Sequence, residues 1–443
     1  MKKEIKDCLK NSYSYHKNGW VFLHIEGDPY ERGFQHGYRM AKELSNIFKT
    51  LNFITVMNTG KEFKFFMDVA NKMFMHRIEK EFLEEIQGIA GGTAAAGFEI
   101  PLDWLLAWNG YIELLYNWWP TSNSESIKSK VPPKVDHCSA FIATGNATQN
   151  NEIVLGHNTW WDFIVGQYFN IILDINPSDG YRLFMQSVPG YIHSTVDFFI
   201  TGGGIIGAST TICGFNKYDE EGEPEYSRVR RAMQYGNGID QWVLLMQKNN
   251  NGGAANSWLL GDINTNEIAR FEQGLEFTNL EKTKNGYFTG YNAPEDARIR
   301  NLECSDTGYN DIRGNGARRV RWEQLMKKNY GKIDISTGKL MLEDHYDVYL
   351  KKYYPSNRTI CGHSDIDPYQ FGNGYPYSPE GALDGKVVSS KLAEYFTFWA
   401  KHGRTCDEPF YVDEFIRKQP QWSWQKEFLQ DRPTQPWTLF KNS

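Results

Sequence analysis

DHCSAFIATGN at positions 136–146 and EIVLGHNTWWDF at 152–163 are the stretch on which the fold turns. Two runs rich in β-branched and aromatic residues, CSAFIAT (138–144) and EIVLGHNTW (152–160), flank the turn-rich GNATQNN (145–151). That order predicts a β-hairpin whose first strand opens on Cys138. Immediately upstream, PTSNSESIKSKVPPKVDH (120–137) is polar, rich in Ser and Lys, and broken by Pro120, Pro132 and Pro133. Such a composition reads as an exposed linker. A thiol at the first position of a strand, directly after a linker, has the peptide bond between His137 and Cys138 within its own reach.

Working outward, residues 1–119 are expected to be mostly helical, because Tyr38–Leu51, Phe63–Gln87 and Leu102–Trp119 carry apolar residues at three- and four-residue spacing. Downstream of Cys138, NIILDI, RLFMQSV, DFFITGG, NSWLLGD and EIARFE read as strands, and 315–330 and 386–402 read as helices. The domain organisation expected is a helical segment over 1–119, a linker over 120–137, and a core with a C-terminal extension over 138–443. Helices, then strands, then helices indicate an α+β fold.

Composition narrows the function classes. Of the 443 residues, 40% are apolar and 23% charged, with 14 Trp, 25 Tyr and 27 Phe, so the chain can build a large core. The formal charge of −6 is spread along the chain and offers no basic footprint for nucleic acid or an anionic membrane. Ile100–Trp119 is the most apolar stretch, but Asp103, Asn109 and Glu113 interrupt it. Integral membrane association is therefore not expected. The opening MKKEIKDCLKNSYSYHKNGW lacks the apolar run of an export signal. A cytoplasmic location is expected, with a lysosomal or secreted one if a leader has been removed.

The six cysteines are scattered without a CxxC pair, so neither a zinc knuckle nor a disulfide scaffold is expected. HSDID (363–367) alternates potential ligands, but a loop held by Asx-type hydrogen bonds is the reading preferred there. No metal and no cofactor are expected. GxSxG, HExxH and P-loop signatures do not occur, and the glycine run at Gly202–Gly204 reads as close backbone packing, not as a dinucleotide-binding turn.

Attack of the Cys138 thiol on the carbonyl of His137, followed by hydrolysis, would free the α-amino group of Cys138. With an ordinary pKa of about 7.7–8.0, that amine can serve as the base for its own thiol. Side-chain amides at strand ends suit an oxyanion, and Asn158 and Asn256 both stand beside Trp-containing runs. Asp162 could orient the amine, and an arginine of RGNGARRVRW could hold the acyl group or fix Asp162. Each of these residues could equally serve a turn or a solvated helix face.

The DHCSAFIATGN…EIVLGHNTWWDF run resembles the nucleophile hairpin of the phospholipase B-like proteins. More distantly it is similar to that of the acyl-coenzyme A:6-aminopenicillanic acid acyltransferases and bile salt hydrolases, all of the N-terminal-nucleophile (Ntn) superfamily. The likeness continues through SVPGYIHSTVDFFITGGGI, GGAANSWLLGD, NRTICGHSDIDP and GALDGKVVSSKLAEYFTFWAKHGRTCDEPF, and GDPYERGFQHG (27–37) looks like the opening motif of the acyltransferase relatives. The resemblance implies a four-layer αββα Ntn-hydrolase sandwich with an N-terminal helical segment. It implies Cys138 as nucleophile after cleavage at His137/Cys138 and Asn256 as oxyanion donor. Asn158 and Asp162 fall in matching segments. Arg318 is the best match to the superfamily arginine, with Arg319 a near tie; His157, Trp160 and Arg319 are expected on the substrate side.

The function expected is an autoprocessing cysteine hydrolase that cleaves acyl esters or linear amides through a thioester. Its partner would be a small acylated molecule, a phospholipid or an N-acyl amide, and self-association is open. The alternatives are an acyltransferase or amidase that passes the acyl group to an amine, and a catalytically silent lipid-binding protein of the same fold.

Overall fold

The computed structural model describes residues 3–122, 138–194, 198–369 and 375–441. It is a mixed α+β structure with two compact units: Met1–Trp119, Tyr168–Gly203 and Tyr218–Gly253 form one, and Pro120–Gln167, Gly204–Lys217 and Ala254–Ser443 form the other. The first unit combines the N-terminal segment with two later stretches.

In the first unit the main helices are Pro29–Arg39, Ala41–Thr59, Phe63–Phe74, Lys80–Ala95 and Leu102–Asn109, so the expected Phe63–Gln87 is divided in two and the expected Tyr38–Leu51 extends to Thr59. The N-terminal segment is mostly helical, and the strands Tyr13–Lys17 and Trp20–Gly27 precede its longer helices. Trp20–Gly27 pairs in parallel with Ile171–Pro177, Val21 opposite Ile171. A strand paired in parallel is buried on both faces and loses the alternation by which strands are recognised; here Trp20 to Leu23 are all buried. This pairing is what joins 168–203 to the N-terminal segment.

The GDPYERGFQHG motif has a packing explanation. A Cβ built on Gly33 or Gly37 would lie 2.0 Å from the carbonyl oxygen of Glu85 or Ile89, and one on Gly88 or Gly92 would lie 2.2 or 2.1 Å from that of Tyr30 or Phe34. Helices Pro29–Arg39 and Lys80–Ala95 therefore meet backbone to backbone, glycine facing glycine, as small-xxx-small pairs allow. Arg32 lies buried at the same crossing and bonds Glu85 at 2.5 Å and Glu81 at 2.6 Å, while Arg230 reaches Glu85 at 2.9 Å.

In the second unit, strands run in the order Gly286–Gly290, Ser139–Gly145, Asn151–Asn158, Asp384–Ser389, Thr397–His402, Thr438–Lys441, all antiparallel. The hairpin expected at Cys138 is formed, with Ser139 opposite Asn158 and Ala140 opposite His157. One face of this sheet packs Phe141, Val154 and Val387 against Trp322, Met326 and Leu342 of helices Asn315–Asn329 and Ile335–Leu342. On its other face, Ile142 and Ile153 approach Gly261 of strand Asn256–Asp262, which pairs with Ile205–Thr211 and Glu267–Gln273. Within this unit the layers are helix, sheet and sheet.

Residues 386–402 correct a second expectation. They form strand Asp384–Ser389, the single turn Ser390–Ala393 and strand Thr397–His402. Val387 and Val388 favour the pleated sheet, and pairing on both sides satisfies the backbone. Residues 120–122 lie in the short helix Trp119–Ser122, and the rest of the expected linker, with His137, lies outside the described residues. No helix among the described residues is long and apolar enough to cross a membrane.

Candidate functional site

Cys138 stands at the entry of strand Ser139–Gly145 with φ +93°, and it is 6% exposed. A positive φ at a residue with a side chain costs roughly 1–3 kcal/mol, so the surrounding structure must hold it there. Arg318 supplies a large part of that hold. Its Nη1 donates to the Cys138 carbonyl at 2.5 Å, to Asn292 Oδ1 at 2.8 Å and to Ser139 Oγ at 3.3 Å. Its Nη2 donates to Asn315 Oδ1 at 2.5 Å.

Arg318 is fully buried, and its guanidinium lies 4.5 Å from the ring centre of Trp160. Stacking on the indole covers the face of the cation while its edge is occupied by carbonyl and amide oxygens. One helical turn positions the set, because Asn315 and Arg318 are three residues apart on Asn315–Asn329 and so share a face. Asn315 Nδ2 is itself anchored on Thr307 O at 3.0 Å, and Asn292 Nδ2 on Thr211 O at 2.8 Å.

Thr211 carries the connection to Asn256, its partner in register at the start of strand Asn256–Asp262. Asn256 Nδ2 donates to Ala254 O at 2.8 Å and the side chain is buried. An amide nitrogen has two hydrogens, so one remains for a further acceptor.

The other expected site residues go elsewhere. Asn158 Nδ2 donates to Leu342 O at 2.8 Å and Ile360 O at 3.2 Å, on the helix side of the sheet, so both its hydrogens are engaged. His157 faces the opposite side, with Nε2 3.0 Å from Ser209 O; burial and then Lys386 hold its imidazole well below the usual histidine range. Asp162 caps the short helix Phe163–Gly166 by accepting from Val165 N at 2.8 Å. No hydrogen bond or ion pair joins Asp162 to Cys138 or Arg318 among the described residues. Burial pushes its carboxyl up to about 6 against that cap.

Arg319 bonds Tyr309 O at 3.1 Å and stacks on the Tyr309 ring at 4.5 Å. Neighbouring positions on a helix point about 100° apart, and only Arg318 turns to Cys138. Trp160 is 2% exposed and serves as the floor beneath Arg318. Asn292, Asn315 and Ser139 were not anticipated; the three-residue spacing of Asn315 to Arg318 was the available signal. In the HSDID run, Asp365 pairs with Arg404 at 2.6 Å and Asp367 with Arg358 at 2.8 Å.

These features define an α+β protein in which a buried thiol residue opens a hairpin and has its carbonyl gripped by a buried arginine. The Phospholipase B family model matches residues 31–436, and the chain belongs to that family. It is 24% identical to a phospholipase B of Crotalus adamanteus over 93% of this chain and 86% of the relative. It is 25% identical to human phospholipase B-like 1 over 91% of this chain and 82% of the relative. An uncharacterized protein of Archaeoglobus fulgidus is 27% identical over 44% of this chain and 34% of its own length.

Proposed function

We propose that this chain is an acyl hydrolase of lipid substrates, cleaving ester or linear amide bonds with the Cys138 thiol, on the four-layer αββα plan of the Ntn hydrolases. Family membership and the names of the relatives support the hydrolase reading. The single observation that carries the choice of nucleophile is the grip of buried Arg318 on the carbonyl of a cysteine held at φ +93°.

In maturation the thiol adds to the carbonyl carbon of His137, the amide nitrogen leaves carrying the proton, and water hydrolyses the resulting thioester. The products are a carboxylate at His137 and an α-amine at Cys138. In turnover that amine takes the thiol proton, sulfur attacks the substrate carbonyl, and the alcohol or amine departs with the proton. Water then releases the fatty acid. Arg318, bonded within the same residue as the amine, disfavours its ammonium form and so holds more of it as the neutral base at physiological pH. Asn256 offers its remaining amide hydrogen to the oxyanion, a contact worth roughly 2.7–4 kcal/mol in comparable sites.

Incubation with phospholipids, lysophospholipids and N-acyl amides in the presence of hydroxylamine tests this reading. Wild-type protein should release fatty acid and form a hydroxamate, and Cys138→Ala should do neither. Release that persists in Cys138→Ala contradicts the reading. Transfer to added amines in preference to water would instead favour an acyltransferase.

A further inference from the structure

Outside the Cys138 group, two cysteines and two histidines converge from three separate stretches of the second unit. His345 follows helix Ile335–Leu342, Cys361 and His363 lie in the NRTICGHSDIDP loop, and Cys406 follows strand Thr397–His402. One ligand atom from each lies within 4.8 Å of all the others. His363 Nε2 is the centre of the set, 3.0 Å from His345 Nε2, 3.3 Å from Cys406 Sγ and 3.5 Å from Cys361 Sγ.

A single imidazole nitrogen is either one donor or one acceptor, and it cannot satisfy three such neighbours by hydrogen bonding. A cation between them can. For bonds of about 2.3 Å to sulfur and about 2.0–2.1 Å to nitrogen, the edges of a tetrahedron run from roughly 3.3 to 3.8 Å. The 3.5 Å and 3.3 Å distances from His363 lie within that range and the 3.0 Å one just below it, and the whole set stays within 4.8 Å, so small side-chain shifts bring the four atoms to tetrahedral edges. Cys361 and His363 are fully buried, which favours ligation of an ion over solvent exchange.

We propose that His345, Cys361, His363 and Cys406 bind one zinc-class dication in a closed tetrahedral Cys2His2 site. Four protein ligands leave no open position for water or substrate, so the ion is structural. On binding, each thiol gives up its proton to the buffer, and two thiolates neutralise the two charges of the ion. No metal is expected from the sequence, because the cysteines form no CxxC pair and no further histidine is anchored beside HSDID; only the fold brings His345 and Cys406 to Cys361 and His363.

The site also has a bearing on the Cys138 group. Cys361 packs with Trp160 and Ala382, and Cys406 packs against them. A Cβ at Gly362 would lie 2.4 Å from the Trp160 ring, so the ligand loop presses directly on the indole that supports Arg318. The ion thus acts as a staple behind the floor of that group. Metal binding itself does not depend on the hydrolase reading.

The test is metal analysis of full-length protein purified under reducing conditions, with native mass spectrometry. The expected result is one zinc per chain, with a mass increase of one zinc less two protons. Reversible replacement by cobalt should give the visible bands of tetrahedral thiolate-bound cobalt on unaltered protein. Chelation should lower the melting temperature and zinc should restore it. Cys361→Ser or His363→Ala should weaken binding by more than roughly tenfold, and Cys304→Ser, outside the cluster, should not. Reduced protein that takes up neither ion, a Cys361–Cys406 disulfide that persists without metal, or binding undiminished in both ligand variants would overturn the proposal. Metal binding with no hydrolysis would sink the proposed function and leave this site standing.

Discussion

Replacing Arg318 by lysine keeps a charge and removes the fork that reaches Cys138 O, Asn292 and Asn315 together. Replacing it by glutamine removes both. If Arg318 holds the α-amine of Cys138 neutral, Arg318→Gln should move the rising limb of the pH–kcat/KM profile upward by roughly one unit. Arg318→Lys should instead lower turnover at least about tenfold with the limb nearly in place. Equal profiles for the two variants would leave Arg318 with a purely structural part. At this scale the strand that opens beside Cys138 was legible, because a run of β-formers after a polar, proline-broken stretch of sequence is a local pattern. The choice between Arg318 and Arg319 was not, since it depends on how the helix is rotated. Asn292 was hidden for a related reason: its partner Thr211 lies far away in sequence.

The glycine-faced crossing of Pro29–Arg39 and Lys80–Ala95 makes a sharp prediction for elements. In Gly37→Ala the added methyl would meet a backbone oxygen at 2.0 Å, and backbone cannot swing aside as a side chain can. Unfolding free energy should fall by about 1–3 kcal/mol or more, measured by denaturant titration. Gly60→Ala, where nothing lies within 4 Å but φ is +71°, should cost less, since only backbone strain opposes it. A Gly37 variant as stable as wild type would contradict the close approach. Elements with a clear period were legible, as the hairpin and helix Asn315–Asn329 illustrate. Trp20–Gly27 was missed because burial on both faces erases alternation, and 386–402 was misread because strand partners outweighed a short helical pattern.

Across the molecule, buried carboxylates set opposing responses to pH. Burial works against the charge on Glu85, but Arg230 and Arg32 prevail and hold its carboxyl below the usual range. Its stabilising contribution is present above the unfolded pKa and is lost as pH falls through the folded value. Glu85→Gln should therefore destabilise most near neutrality, by about 3–5 kcal/mol, with the difference from wild type shrinking in acid. Asp162, raised to about 6, has the opposite sign: folding favours its protonated form, and stability is lost as pH rises from the unfolded value toward 6. Asp162→Asn keeps the cap and should gain on wild type between about pH 4 and pH 7. Denaturation midpoints across that interval check both, and parallel pH curves for wild type and variants would contradict them. Neither shift was visible in sequence, because Glu85 and Arg230 come from distant stretches and Asp162 owes its shift to burial.

The claim on which the functional account rests is that residue 138 works with an unblocked α-amine. Intact-mass spectrometry of catalytically active protein under denaturing conditions addresses it directly. The account predicts two fragments that meet between His137 and Cys138, and a single uncut chain in Cys138→Ala. Full activity in a preparation whose only species is the uncut chain would contradict it.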